Sequence, residues 1–173
     1  MKKTLSLFVA ICITVASFAQ ATEQQLSEKV KVVFPGKPEA TEIPNGPKVF
    51  AYKKDSTVAY MGFGFDLSPM GLTEETITAL GDGLWDQLKA QMMGQMAGAN
   101  LTKDEIVQFK GKSSLYLEID GKDATAPQIQ GKKAFGYLFF NGSVLHQVFF
   151  YSSNAAAKKE DAAAFFDSVV ITK

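Results

Sequence analysis

The chain holds a single histidine and a single cysteine, so nucleophilic or metal chemistry has few residues to use. A Ser-His-Asp mechanism would have to employ His146. That residue sits beside Val144 and Val148 in the alternating run VLHQVFF, which reads as a packed or partly exposed imidazole. The functional alternative pairs it across a hairpin with Tyr137, the two lining a polar spot in a binding cleft. Met92-Met93-Gly94-Gln95-Met96 presents clustered thioethers, soft donors able to hold Cu(I). Met92 and Met96, however, continue an apolar helical stripe, which makes them core residues and leaves Met93 alone off the stripe. No metal site is assigned.

Other motifs dissolve on inspection. Gly111-Lys112-Ser113 resembles the end of a P-loop, but Ile106 stands where that loop needs its first glycine, so a strand-edge turn is the reading. In Phe34-Pro35-Gly36-Lys37-Pro38 the prolines remove N–H donors that a phosphate cradle requires, which makes this stretch a corner. Glu118, Asp120 and Asp123 lack the spacing of a calcium loop. No G-x-S-x-G elbow occurs, and no carboxylate pair is singled out for glycoside hydrolysis. No cofactor is expected.

Residues 1–21 place Lys2 and Lys3 before an apolar run from Leu5 to Phe18 and an Ala19-Gln20-Ala21 cleavage pattern, the signature of a secretory signal peptide. The expectation is an exported chain, periplasmic or extracellular, with one domain over residues 22–173. Cys12 lies within the leader, so the mature domain would have no disulfide or thiol and would depend on its core. A chain of this length can bury about two thirds of its unfolded surface. Eighteen basic residues, all Lys, balance eighteen acidic ones. With no Arg and no positive excess, nucleic acid is not an expected partner. No later segment approaches the ~20 apolar residues of an integral membrane helix.

The elements that would position any site follow from periodicity. Residues 23–28 read as a loose polar leader. Val30, Val32 and Phe34 alternate in a first strand, and turns at Pro35–Pro38 and Ile43–Pro47 bracket a loop. Val49–Lys53 and Val58–Phe65 form a hairpin whose Gly62 and Gly64 leave room for a close neighbour. Ile77, Leu80, Leu84, Leu88, Met92 and Met96 mark one long central helix. Strands follow over 105–109 and 114–120. Asn141-Gly142 is then a two-residue turn between 133–140 and 143–151, pairing Phe139 with Val144, Tyr137 with His146 and Phe135 with Val148. Both faces of this ribbon are apolar, which predicts cover on both sides. The cover would be the central helix and a C-terminal helix in NAAAKKEDAAAFF, capped by Asn154.

This order of elements, with Phe-Pro-x-x-Pro closing the first strand and Phe166-Asp167-Ser168 near the end, resembles the PsbP-like superfamily. The resemblance implies an α+β fold: a mainly antiparallel sheet in an α/β/α sandwich. It also implies a non-catalytic binding domain, with no catalytic motif to carry over. The expected function is therefore binding of a protein partner or small ligand. Two alternatives stand beside it: a carrier of a small apolar molecule, prompted by 14 phenylalanines, and a small periplasmic hydrolase using His146.

Overall fold

The computed structural model describes residues 21–172. The leader, with Cys12, lies outside them save for Ala21. In chain order the elements are β1 (Thr22–Ser27), β2 (Val30–Phe34), β3 (Glu39–Glu42), β4 (Lys48–Lys53), β5 (Val58–Asp66), α1 (Glu74–Leu80), α2 (Asp82–Gln95), β6 (Asn100–Phe109), β7 (Lys112–Asp120), β8 (Lys133–Asn141), β9 (Val144–Ser152), α3 (Ala163–Asp167) and β10 (Val170–Ile171). Seven strands form one sheet in the order β3-β4-β5-β9-β8-β7-β6, and three form a second, β1-β2-β10. Every pairing between neighbours is antiparallel. No helix among the described residues is long and apolar enough to cross a membrane.

Alternation along β8 and β9 drives the layering. Phe135, Tyr137, Phe139, Val148 and Phe150 enter one apolar cluster, while Ala134, Leu138, Phe140, Leu145 and Phe149 enter another on the opposite face. Both faces are therefore removed from water, as expected of a ribbon apolar on both sides. The first face is closed by Val30, Val32 and Phe34 of the small sheet and by Phe165 and Phe166 of α3. The second is closed by Leu84 and Trp85 of α2, with Ala124 and Ile129 from the β7–β8 connection.

The covering elements differ from expectation. The single long central helix is instead two, parted at Gly81, whose φ of 53° and ψ of −137° only glycine adopts without strain. Thr73 caps α1, its hydroxyl oxygen accepting from the Thr76 N–H at 3.3 Å. Leu80 of the anticipated stripe is exposed, and Trp85 takes a buried place. The C-terminal helix is also shorter than expected, α3 alone, preceded by a 3₁₀ turn at Lys159–Ala162. Asn154 caps a turn, accepting from the Ala156 N–H at 2.9 Å, and starts no helix. The small sheet supplies the missing cover.

Two edge strands, one in each sheet, have no signal in the sequence. The loose leader is β1, paired with β2 and burying only Leu26, so hydropathy gave no sign of it. The loop after PGKP contains β3, every residue of which is exposed. PGKP itself is a corner, and an added Cβ at Gly36 would lie 2.5 Å from the Tyr52 ring, so a larger residue there would push that ring aside.

The β8–β9 turn also corrects the register. Asn141 pairs with Val144, so Gly142-Ser143 is the two-residue loop, and Phe139 pairs with His146, Tyr137 with Val148 and Phe135 with Phe150. Only Gly142, at φ 63°, has a positive φ there, the pattern of a II′ turn with glycine first. The shift is an even number of residues, so every side chain keeps its predicted face.

A candidate binding site at the hairpin end

Strand β1 has a bulge between Gln25 and Ser27, and a bulge re-aims the side chains beside it. Leu26 then turns into the core against Gly62, and its carbonyl passes over Gly64. A Cβ at residue 64 would stand 2.7 Å from that carbonyl oxygen and 3.1 Å from the His146 ring. Glycine at 64 therefore sets how closely the small sheet approaches the large one. At that distance the Ser27 hydroxyl lies 2.8 Å from His146 Nε2, a hydrogen bond joining the two sheets.

His146 is fully buried. Its ring stacks on Phe139 at 5.1 Å with 13° between planes. Nδ1 has no hydrogen-bond partner among the described residues. Burial pushes the imidazole down from its ordinary 6.5 to about 4, with a backbone contact to Val144 opposing weakly. The anticipated pairing of Tyr137 with His146 is not formed. Tyr137 stacks on Phe109 at 4.0 Å and meets Phe166 edge-on at 5.1 Å. Both candidates are core residues, and the face they share is covered by the small sheet and α3 together.

Above this seam opens a groove of about 930 Å³, its lining including Ser27, Lys29, Gly64, Asp66, Lys112 and Ser143. Asp66 fixes its rim: Oδ1 accepts from the Ser68 N–H and the Ser143 hydroxyl, each at 2.9 Å, and Oδ2 from the Ser68 hydroxyl at 2.9 Å. Those hydrogen bonds, the Ser68 N–H first, hold the carboxyl below its ordinary range. Lys110 and Gly111, at φ 52° and 78°, form the β6–β7 turn on another side, the I′ geometry. The Lys110 ammonium donates to the Asp167 carbonyl at 2.7 Å, at the end of α3. Lys112, the remnant of the false P-loop, points no phosphate loop but does line the groove.

A second hollow of about 320 Å³ adjoins the first. Ile77, Leu84, Trp85 and Phe140 give it apolar walls, and Glu74, Lys112 and Gly142 line both hollows. Trp85 rests on Phe140 at 5.4 Å. The methionine cluster lies away from these walls, Met96 buried and Met92 and Met93 partly buried against the second apolar layer.

The two short motifs behind the resemblance touch each other. Phe34 packs on Phe165 at 5.3 Å. The Val33 N–H donates to the Ser168 hydroxyl at 2.9 Å, and that hydroxyl donates to the Phe165 carbonyl at 2.7 Å. The aromatic-Asp-Ser segment thereby fastens α3 to β2. No family model matches the chain, and no curated protein does. Among solved structures, the chain matches the solution structure of cyanobacterial PsbP (CyanoP) from Synechocystis at a TM-score of 0.52 and 15% identity, over 88% of this chain and 93% of that one.

The fold is PsbP-like.

Two further structures are similar at lower scores. One, from Bacteroides thetaiotaomicron, has a TM-score of 0.45 and 12% identity over 87% of this chain and 48% of the other. A Pseudomonas aeruginosa protein of unknown function gives 0.42 and 14% over 79% and 85%. At these identities the PsbP-like likeness extends to architecture alone. The groove is accordingly read from this chain's own residues.

Proposed function

We propose that this PsbP-like domain is an exported, non-catalytic binding module that receives a segment of a protein partner at the hairpin end. The supporting observation is the joined site: an open groove with Lys29, Lys112, Glu28 and Glu74 around it, continuous with an apolar hollow beside Trp85. Concave sites of about 300–1,000 Å³ with apolar walls and a few placed polar groups are the usual form of binding pockets. Charges of both signs around an open groove suit a polypeptide better than a small apolar cargo. A carrier would hold its cargo between layers, and there Leu117, Leu138, Phe139, Val148 and Phe149 are essentially without exposed surface.

The test uses immobilised protein and extract of the exported fraction. One protein retained by the wild type is expected to be lost with Lys112→Glu combined with Glu74→Lys, and kept with Lys133→Glu at the far end of β8. Equal retention by all three would overturn the site. Added mass in native mass spectrometry that survives the Lys112 change would favour the carrier reading instead.

The hydrolase reading keeps one observation in its favour, the Ser27–His146 hydrogen bond beneath the groove. Against it, no carboxylate among the described residues orients Nδ1, and an imidazole pushed to about 4 holds a serine's proton weakly. We expect p-nitrophenyl acetate turnover by wild type and Ser27→Ala to be indistinguishable. A fluorophosphonate adduct on Ser27 would reverse this conclusion.

A further inference from the structure

We propose that His146 is an acid-sensitive latch between the two sheets, and that its protonation releases β1, β2 and β10 locally and deforms the groove above them. The proposal rests on the binding reading for its consequence, but the latch itself stands on the geometry of the seam.

The Ser27–His146 side-chain hydrogen bond joins β1 to β9. In the neutral ring one nitrogen bears the proton and the other does not. Addition of a proton makes both nitrogens donors. Nε2–H then keeps Ser27 Oγ as acceptor, whereas Nδ1–H gains no well-formed hydrogen bond, the Val144 backbone offering the ring only partial compensation. A buried cation with a poorly met donor is a costly arrangement for a core to hold. Relief comes by moving the ring to water or water to the ring.

The route outward is set by the surrounding elements. Phe139 blocks one ring face from β8, and the Leu26–Gly64 contact closes the β5 side. Ser27 and Val144 line the groove floor beside it. The charged groups that face this region are Glu28 and Lys29 from the β1–β2 turn, Asp66 from β5, Lys110 from the β6–β7 turn, Lys112 from β7, and Glu74 from α1. None of them is among the causes of the depressed affinity of His146 for protons, which is due to burial and is partly offset by the Val144 backbone. Once released, the imidazolium would meet the carboxylates of Glu28, Asp66 and Glu74 at the rim.

The small sheet is suited to yield first. Strand β10 has only Val170 and Ile171, and β1 lies at an edge, whereas β9 is paired along its whole length on both sides. Elements with few ladder bonds open below the global unfolding free energy.

Hydrogen–deuterium exchange at pH 7 and pH 4, corrected for the intrinsic pH dependence of exchange, tests the latch without any partner. Peptides covering residues 22–34 and 169–172 are expected to gain about 100-fold in opening at pH 4, the factor linkage gives for a ring moving from about 4 to its ordinary value. Peptides of β7 and β8 should change far less, and His146→Gln should abolish the difference. Should that variant fail to fold, Ser27→Ala serves: it is expected to loosen the same peptides already at pH 7. Exchange that rises equally in all strands, or in none, overturns the latch. If the latch is present, retention of the Lys112-dependent partner should fall at pH 4 in wild type and persist in His146→Gln. PH-independent retention would overturn the coupling while leaving the binding reading intact.

Discussion

Phe139→Ala is expected to lower unfolding stability by about 3 to 5 kcal/mol, measured as a shift in the urea midpoint with an unchanged slope. Phe139 has no exposed surface. Its ring lies between His146 at 5.1 Å and Phe109 at 5.6 Å, in the middle of the layer that unites the small sheet, the large sheet and α3. Its removal leaves a cavity that β8 and β9 cannot close, because their opposite faces are held by Leu138, Phe140 and Phe149. A loss of this size is a large share of the 5–15 kcal/mol typical of a domain. Phe139→Leu should cost less by retaining most of the volume. A loss under about 1 kcal/mol for the alanine variant would mean that this layer is already hydrated and that the sheet is not closed on that face.

Acidification is expected to weaken the domain before its carboxylates titrate. The folded His146 takes up its proton only near pH 4, whereas an unfolded chain does so near 6.5. Above 6.5 the ring is neutral in both states and costs nothing. As the pH falls from 6.5 to about 4, only the unfolded chain gains the proton, so stability falls by about 3 kcal/mol across that window and no further below it. Asp55, Asp66 and Glu75 also bind protons less readily when folded, but from ordinary values of 3.8 and 4.5, so their losses begin lower. Urea unfolding at pH 7, 5.5 and 4.5 separates the two effects. Wild type should decline steadily over these points and His146→Gln should remain nearly flat. A flat wild-type profile would place the imidazole in water.

The large sheet was legible apart from its exposed edge strand β3, because the remaining strands alternate or carry apolar runs. Alternation in residues 133–151, with glycine at the turn, gave the ribbon and both of its faces. What failed there was register, since Asn141-Gly142 and Gly142-Ser143 are both acceptable loops and differ by a step that leaves every face unchanged. In the small sheet only β2 was legible, by its alternation: β1 is held by ladder bonds to β2 and buries only Leu26, so its hydropathy is that of a polar tail. That omission concealed the candidate site. Ser27 has no local signature, and its approach to His146 depends on a bulge and on Gly64. The glycine was the one sequence hint, flagged as room for a neighbour whose identity could not be read. Lys112 stands in a Gly-Lys-Ser triplet that forms no phosphate loop, and Trp85 lies one position off a helical stripe that Gly81 interrupts. Tyr137 and His146 were singled out as polar residues on an apolar face, and both proved to be packed in it.

If the small sheet seals the large one over His146, the lone histidine of the sequence reports it. Proton NMR of the His146 ring in an untagged preparation follows one unambiguous signal through a pH titration. A midpoint near 4 is expected, with the signal broadening or doubling as the seam opens. A smooth titration near 6.5, the value of an imidazole in water, would contradict it.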